Sequence, residues 1–171
     1  MRILVRNRQK TVAIDLPALK RFARELAEMA HRRENDAPAW EEVVIHLLDD
    51  PAMAAVNRAV MGHEGPTDVI TQRYDPLPGE PEGLLGELFI DLAWAARKRP
   101  ARWDWSLDQE ILLYLAHGCD HLTGSEDTTP QERRAMRRRE LRWLKSLAWT
   151  PFSTLLSTPA PSTEKRPAKR S

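Results

Sequence analysis

Apolar residues recur at Leu16, Leu19, Phe22, Ala23, Leu26, Met29 and Ala30. This spacing predicts an amphipathic helix, opened by Asp15 as N-cap with Pro17 in its first turn. Ahead of it, Ile3, Val5 and their neighbours, then Thr11 to Ile14, read as short strands around a polar turn at Asn7 to Lys10. Asn35 to Pro38 reads as a loop. Val43 to Leu48 is β-branched and apolar, a buried strand whose end Asp49 and Asp50 mark. Asp50 before Pro51 reads as an N-cap and a first-turn proline, opening a short helix to about Met61 that Gly62 stops. Thr67 to Thr71 reads as a strand, DPLPGEPEG as a loop, and Leu84 to Ile90 as a further strand. Asp91 then caps a helix to about Arg99, which Pro100 terminates.

Two capping boxes follow. Ser106 with Gln109 opens a helix over Leu107 to Leu122 that Gly124 ends. Thr129 with Glu132, and Pro130 between them, opens a last helix with Met136, Leu141, Trp143, Leu144 and Leu147 on its apolar side. The pattern gives about four strands and five to six helices, interleaved. It predicts an α/β or α+β fold around a small mixed sheet.

Composition narrows this picture. The chain has 171 residues, 42% apolar and 30% charged, which suits one domain over residues 1–150 with a real core. From Pro151 onward, PFSTLLSTPAPSTEKRPAKRS has the composition of a disordered tail. The longest apolar run, Ile111 to Ala116, is far short of the ~20 residues that span a membrane. The charged N-terminus lacks the apolar stretch of a signal peptide. The single cysteine, Cys119, allows no internal disulfide, so a cytoplasmic protein is expected. The net charge of +1 hides an uneven distribution. Residues 1–33 carry nine Lys/Arg against three Asp/Glu, residues 34–96 two against thirteen, and residues 97–171 fifteen against nine. Such a split fits a charged partner, and it equally fits lumpy surface charge.

The chemistry concentrates in YLAHGCDHLTGSED, Tyr114 to Asp127. His117 and His121 are four apart on a helix, so their side chains lie one turn apart and within about 40° of each other. Two neutral imidazoles so placed can share one metal ion. Gly124 ends the helix, and Asp127 on the returning chain offers a third ligand, the pattern of a catalytic zinc with an open fourth position. The competing reading is two polar histidines on a half-exposed face beside an unrelated acidic loop. The spacing also overlays the zinc-protease consensus, which needs a glutamate after the first histidine as general base. Gly118 stands there, which disfavours peptide hydrolysis. Asp120 and Glu126 are candidate acceptors near a metal-held water, or else solvated surface acids.

The chain resembles the YbeY family of bacterial endoribonucleases and ribosomal RNA maturation factors. The resemblance rests on three blocks in order: Val56–Asn57 through Gly62 with Pro66–Thr67–Asp68–Val69–Ile70, then Gly86–Glu87–Leu88–Phe89–Ile90, then His117–Gly118 through Asp127. It covers about residues 1–145. Asp127 stands where the family usually has a third histidine, Asp120 where leucine is usual, and Ser125 where tyrosine is usual. Met61 stands in place of an arginine that serves RNA handling, and Arg58 and His63 are the candidates to replace it. The resemblance implies a zincin-like fold and one zinc per chain on His117, His121 and Asp127, acting through a metal-bound water. It further implies single-strand-specific RNA cleavage, 16S ribosomal RNA 3′-end maturation, and a role in ribosome quality control with the small subunit as partner.

Part of this follows from the residues themselves. A zinc-held water ionises near neutrality without a protein base, and phosphodiester cleavage needs positive charge to hold the backbone. The last helix supplies Arg133, Arg134, Arg137, Arg138, Arg139, Arg142 and Lys145, of which Arg134 and Arg138 are candidate RNA contacts. Thr67–Asp68 reads as a structural pair bracing its loop. Two other functions compete: a zinc peptidase or amidase, and a ribosome-associated RNA-binding factor whose metal is mainly structural.

Overall fold

The computed structural model describes residues 1–34, 38–76, 83–98 and 105–147. In chain order it runs β1 (Arg2–Asn7), α1 (Leu16–His31), β2 (Trp40–Leu48), α2 (Asp50–Met61), β3 (Val69–Tyr74), β4 (Leu84–Asp91), α3 (Leu92–Lys98), α4 (Leu107–Leu122) and α5 (Pro130–Ser146). The four strands form one mixed sheet in the order β1-β2-β4-β3. β1, β2 and β4 are parallel, with Ile3 opposite Val43 and Ile45 opposite Leu88. β3 lies antiparallel on the edge, with Val69 opposite Ile90. This is the α+β fold with a small mixed sheet that the pattern predicts. Among the described residues, no helix is long and apolar enough to cross a membrane.

Strand alternation sends Val43, Ile45, Leu47, Leu84, Leu88 and Ile90 into one core with α1 and α4. Burying each such side chain contributes roughly 1.5–3 kcal/mol. α4 is enclosed along most of its length, with Ile111, Leu112, Leu115 and Ala116 all fully buried. It is therefore a fixed platform for whatever its last turns carry. The opposite sheet face is covered at one end by α2, through a smaller cluster of Leu48, Met53 and Ile70.

The structure differs from the sequence reading at three places. Thr11 to Ile14 forms no strand, because the buried Gln9 amide takes both backbone groups of Val12, donating to its carbonyl and accepting from its N–H at 2.8 Å each. The N-cap of α2 is Asp49, whose side chain accepts from Ala52 N, and Asp50 is the first helical residue. β3 begins at Val69 rather than Thr67, since Asp68 Oδ1 accepts from Val69 N at 2.9 Å and from Thr67 Oγ1 at 3.1 Å. The caps at Asp15, Ser106 and Thr129 stand where expected. The 151–171 tail, Arg99 and Pro100, residues 35–37 and most of the 75–83 loop lie outside the described residues.

Candidate metal centre

The capping box at Ser106 fixes the start of α4, and so fixes which face its last two turns present. His117 and His121 project from that end. Gly124, at φ 73°, turns the chain back so that Asp127 returns to them. Ligand atoms of His117, His121 and Asp127 all lie within 4.8 Å of one another. The expected trio is thus brought together.

The hydrogen bonds around the two rings set their tautomers. His121 Nδ1 lies 2.8 Å from the Ser125 carbonyl, which can only accept, so Nδ1 carries the hydrogen. His117 Nδ1 donates to Glu140 Oε1 at 2.7 Å, and the accepting carboxylate is only 1% exposed. Two neutral rings held this way aim their Nε2 lone pairs at each other across 3.1 Å. Only a shared proton or a cation between them makes that arrangement favourable. Tetrahedral zinc with nitrogens at 2.0–2.1 Å would place them roughly 3.3 Å apart. The donor set therefore fits a metal ion, with the histidine-to-carboxylate bond that usually orients such ligands. Burial works against charging His117, but Glu140, by hydrogen bond and charge, and Asp68 outweigh it and hold its pKa above the ordinary histidine value. Burial, reinforced by Asp120, pushes the Cys119 thiol up to about 12, which leaves it inert.

The other candidate residues are dispersed. Asp120 is fully buried rather than solvated, and its oxygens are engaged by Arg33 at 2.8 Å, Arg139 Nε at 2.8 Å and the Ser125 hydroxyl at 2.7 Å. It braces the Ser125 turn whose carbonyl holds His121. Glu126 is exposed and lines a cavity with His121 and Asp127. Met61 and His63 line the same cavity, whereas Arg58 is exposed and paired with Glu64 at 3.0 Å. Arg134 and Arg138 line a second cavity of about 480 Å³, which reaches His117 and Asp127. Lys145 lies elsewhere, beside Trp105 and Leu141.

Two contributors escaped the sequence reading. Glu140 is not among the residues that the sequence singles out, although it shares the buried stripe of α5 with Met136 and Leu144. An acid at i+4 from one apolar residue and i−4 from the next was the available signal. Asp68 braces its loop as expected, and it also lines the arginine cavity.

Gly118 explains the missing protease glutamate. A Cβ there would lie 2.9 Å from Leu88 Cδ2 and 3.3 Å from Val69 Cγ1, because α4 crosses the sheet at this point. The position faces the core and has no room for a general base.

A mixed four-stranded sheet under a buried helix that ends in a His-x3-His-x5-Asp cluster defines an α+β protein able to hold a metal ion beside a basic cleft. The chain belongs to the YbeY family, whose model, described as endoribonuclease YbeY, matches residues 4–148. It is 33% identical over 144 residues to the endoribonuclease YbeY of Pelotomaculum thermopropionicum, covering 82% of this chain and 93% of that one. It is 32% identical over 136 residues to the endoribonuclease YbeY of Clavibacter sepedonicus, covering 76% and 85%. The solution structure of TM1509 from Thermotoga maritima shares the fold, with a TM-score of 0.53 at 17% identity, covering 96% of this chain and 99% of that one.

Proposed function

We propose that this protein is a cytoplasmic, metal-dependent endoribonuclease that cleaves single-stranded RNA. One zinc per chain is held by His117, His121 and Asp127. Ribosomal RNA on the small subunit is the substrate setting, with 16S 3′-end maturation and ribosome quality control as the roles. The observation that carries the reading is the pair of Nε2 atoms converging 3.1 Å apart, with both Nδ1 atoms committed as donors, where His117 and Asp127 line an arginine-rich cavity. Membership in a family named for endoribonuclease activity supports it.

When bound, the ion supplies Lewis acidity, lowering the pKa of coordinated water and polarising a phosphoryl oxygen. The rest is done by this chain. Glu140 fixes the His117 ring, and the Ser125 carbonyl fixes the His121 ring. Arg134 and Arg138, exposed on α5, hold backbone phosphates and orient the strand without reading its sequence. Glu126, an exposed carboxylate that lines the other cavity with His121 and Asp127, is the residue placed to take up a proton, since the Asp120 oxygens are occupied by two arginines and a serine.

The test combines metal analysis with cleavage of labelled single-stranded RNA. The parent protein is expected to carry one zinc per chain and to lose cleavage with EDTA. His117→Ala and His121→Ala are each expected to lose both zinc and cleavage. Stoichiometric zinc in both variants would overturn the ligand assignment. Cleavage of casein but not RNA would overturn the substrate class.

A further inference from the structure

Two cavities meet at the cluster, and their chemistry differs. The first is walled by Arg133, Arg134, Arg137 and Arg138, a setting for phosphates. The second, of about 500 Å³, opens on the α2 and β3 side. Among the described residues lining it, the one guanidinium is Arg73. That group is already engaged, with Glu34 at 2.6 Å, Asp75 at 2.9 Å and the Leu122 carbonyl at 3.0 Å. Glu126 and Asp127 add negative charge at its edge. A phosphate is therefore disfavoured there.

The same cavity offers apolar surface. Met61 stands at its lip with 52% of its surface exposed, and Val69 and Ile70 add apolar wall. A thioether is polarisable and adapts to a flat ring. Thr71 also lines this cavity, and its Oγ1 is buried without a hydrogen-bond partner. A hydroxyl can both donate and accept, which suits the polar edge of a heterocycle. Apolar surface from Met61, Val69 and Ile70 set among the polar Asn57, His63 and Thr67, one unmatched hydroxyl, no unpaired guanidinium and direct continuity with two metal-site residues describe a pocket for an uncharged, planar, polar-edged group.

We propose that this cavity is a nucleobase subsite, taking the base of the nucleotide that adjoins the phosphate at the cluster. The proposal rests on the RNA reading above and deepens it. A base enters only if it is free of its stack and pair, so the subsite selects unpaired strands by geometry. Met61 and Thr71 are the residues that set this selection, and the arginines of α5 are not.

The test uses binding, so that it stands apart from cleavage. Short fluorescent RNA strands, 2′-O-methylated throughout to block self-attack and held in EDTA-free buffer, are scanned with one abasic position at a time against the zinc-loaded full chain. Removing one particular base is expected to weaken binding roughly tenfold, with much smaller effects elsewhere. Met61→Ala, at an exposed position, and Thr71→Val, near-isosteric, are each expected to shrink that penalty to about twofold. Arg134→Gln with Arg138→Gln is expected to lower the salt dependence and leave the penalty intact. Equal penalties at every position, an undiminished penalty in both variants, or no binding at all would overturn the subsite. Cleavage of the all-ribose strand, measured alongside, decides the nuclease reading separately. Position-specific base binding without cleavage would keep the subsite and sink the nuclease.

Discussion

Glu140 and Asp120 are both buried acids near the cluster, and they do different work. Glu140 orients a ligand ring through one 2.7 Å bond. Losing such a partner typically costs 10–100-fold in metal affinity. Glu140→Gln keeps an acceptor and is expected to lose about tenfold, and Glu140→Ala nearer a hundredfold, measured by competition with a chromophoric chelator. Unchanged affinity in both would remove the positioning role. Asp120 neutralises Arg33 and Arg139 at full burial. Asp120→Ala is expected to destabilise the fold by about 3–5 kcal/mol in urea unfolding, because it strands the guanidinium charges. His117, His121 and Asp127 were legible because one helical turn and one glycine turn bring them together, all within eleven residues of chain. Glu140 lies 23 positions from the ring it holds, and Arg33 lies 87 from Asp120. No local pattern encodes contacts at that range, so an acid sealed by distant arginines read the same as a solvated one.

At the scale of elements, caps were legible because they are local exchanges between a side chain and backbone three residues on. Thr129→Ala is accordingly expected to cost about 1 kcal/mol of stability. The Thr11–Ile14 strand failed for the same reason in reverse, since the nearby Gln9 amide competed for the ladder's hydrogen bonds. α5 makes a sharper statement about its own charge. Arg134 and Arg138 line the cavity at the cluster, and Lys145 does not. Neutralising the two arginines is expected to flatten the salt dependence of RNA binding by about 0.7 in log–log slope for each phosphate no longer held, and neutralising Lys145 to leave it unchanged. A strand end carries the pH dependence. Asp91, fully buried where β4 meets α3, has its pKa raised to about 6 by burial and by the neighbouring Asp50 carboxylate, against the hydrogen bond from Trp94 N. The folded state therefore binds this proton more tightly than the unfolded chain does. Stability from this group is fully present below about pH 4 and falls as pH rises through about 6. Asp91→Asn, which keeps an oxygen for Trp94 N, is expected to remove that decline and so to gain about 2–3 kcal/mol on the parent between pH 4 and pH 7. A parallel pH profile in the variant would count against it.

Across the whole molecule, the sheet dictates what the site lacks as well as what it holds. Gly118→Glu would recreate the protease spacing, yet its side chain would enter Leu88 and Val69. It is expected to cost about 3 kcal/mol or more and to confer no peptidase activity, which denaturation and a casein assay would check. The turn that carries Asp127 is tied from both ends of the chain. Arg33, just past α1, and Arg139, on α5, meet at Asp120 and Ser125, and Arg133 donates to the Asp127 carbonyl at 2.8 Å. The chain up to the start of α5 has both histidines and Asp127, yet lacks Arg133, Arg139 and Glu140. Orientation of the ligand set therefore waits for α5 to pack, so the metal centre is a product of the tertiary fold and not of the short segment that carries its ligands.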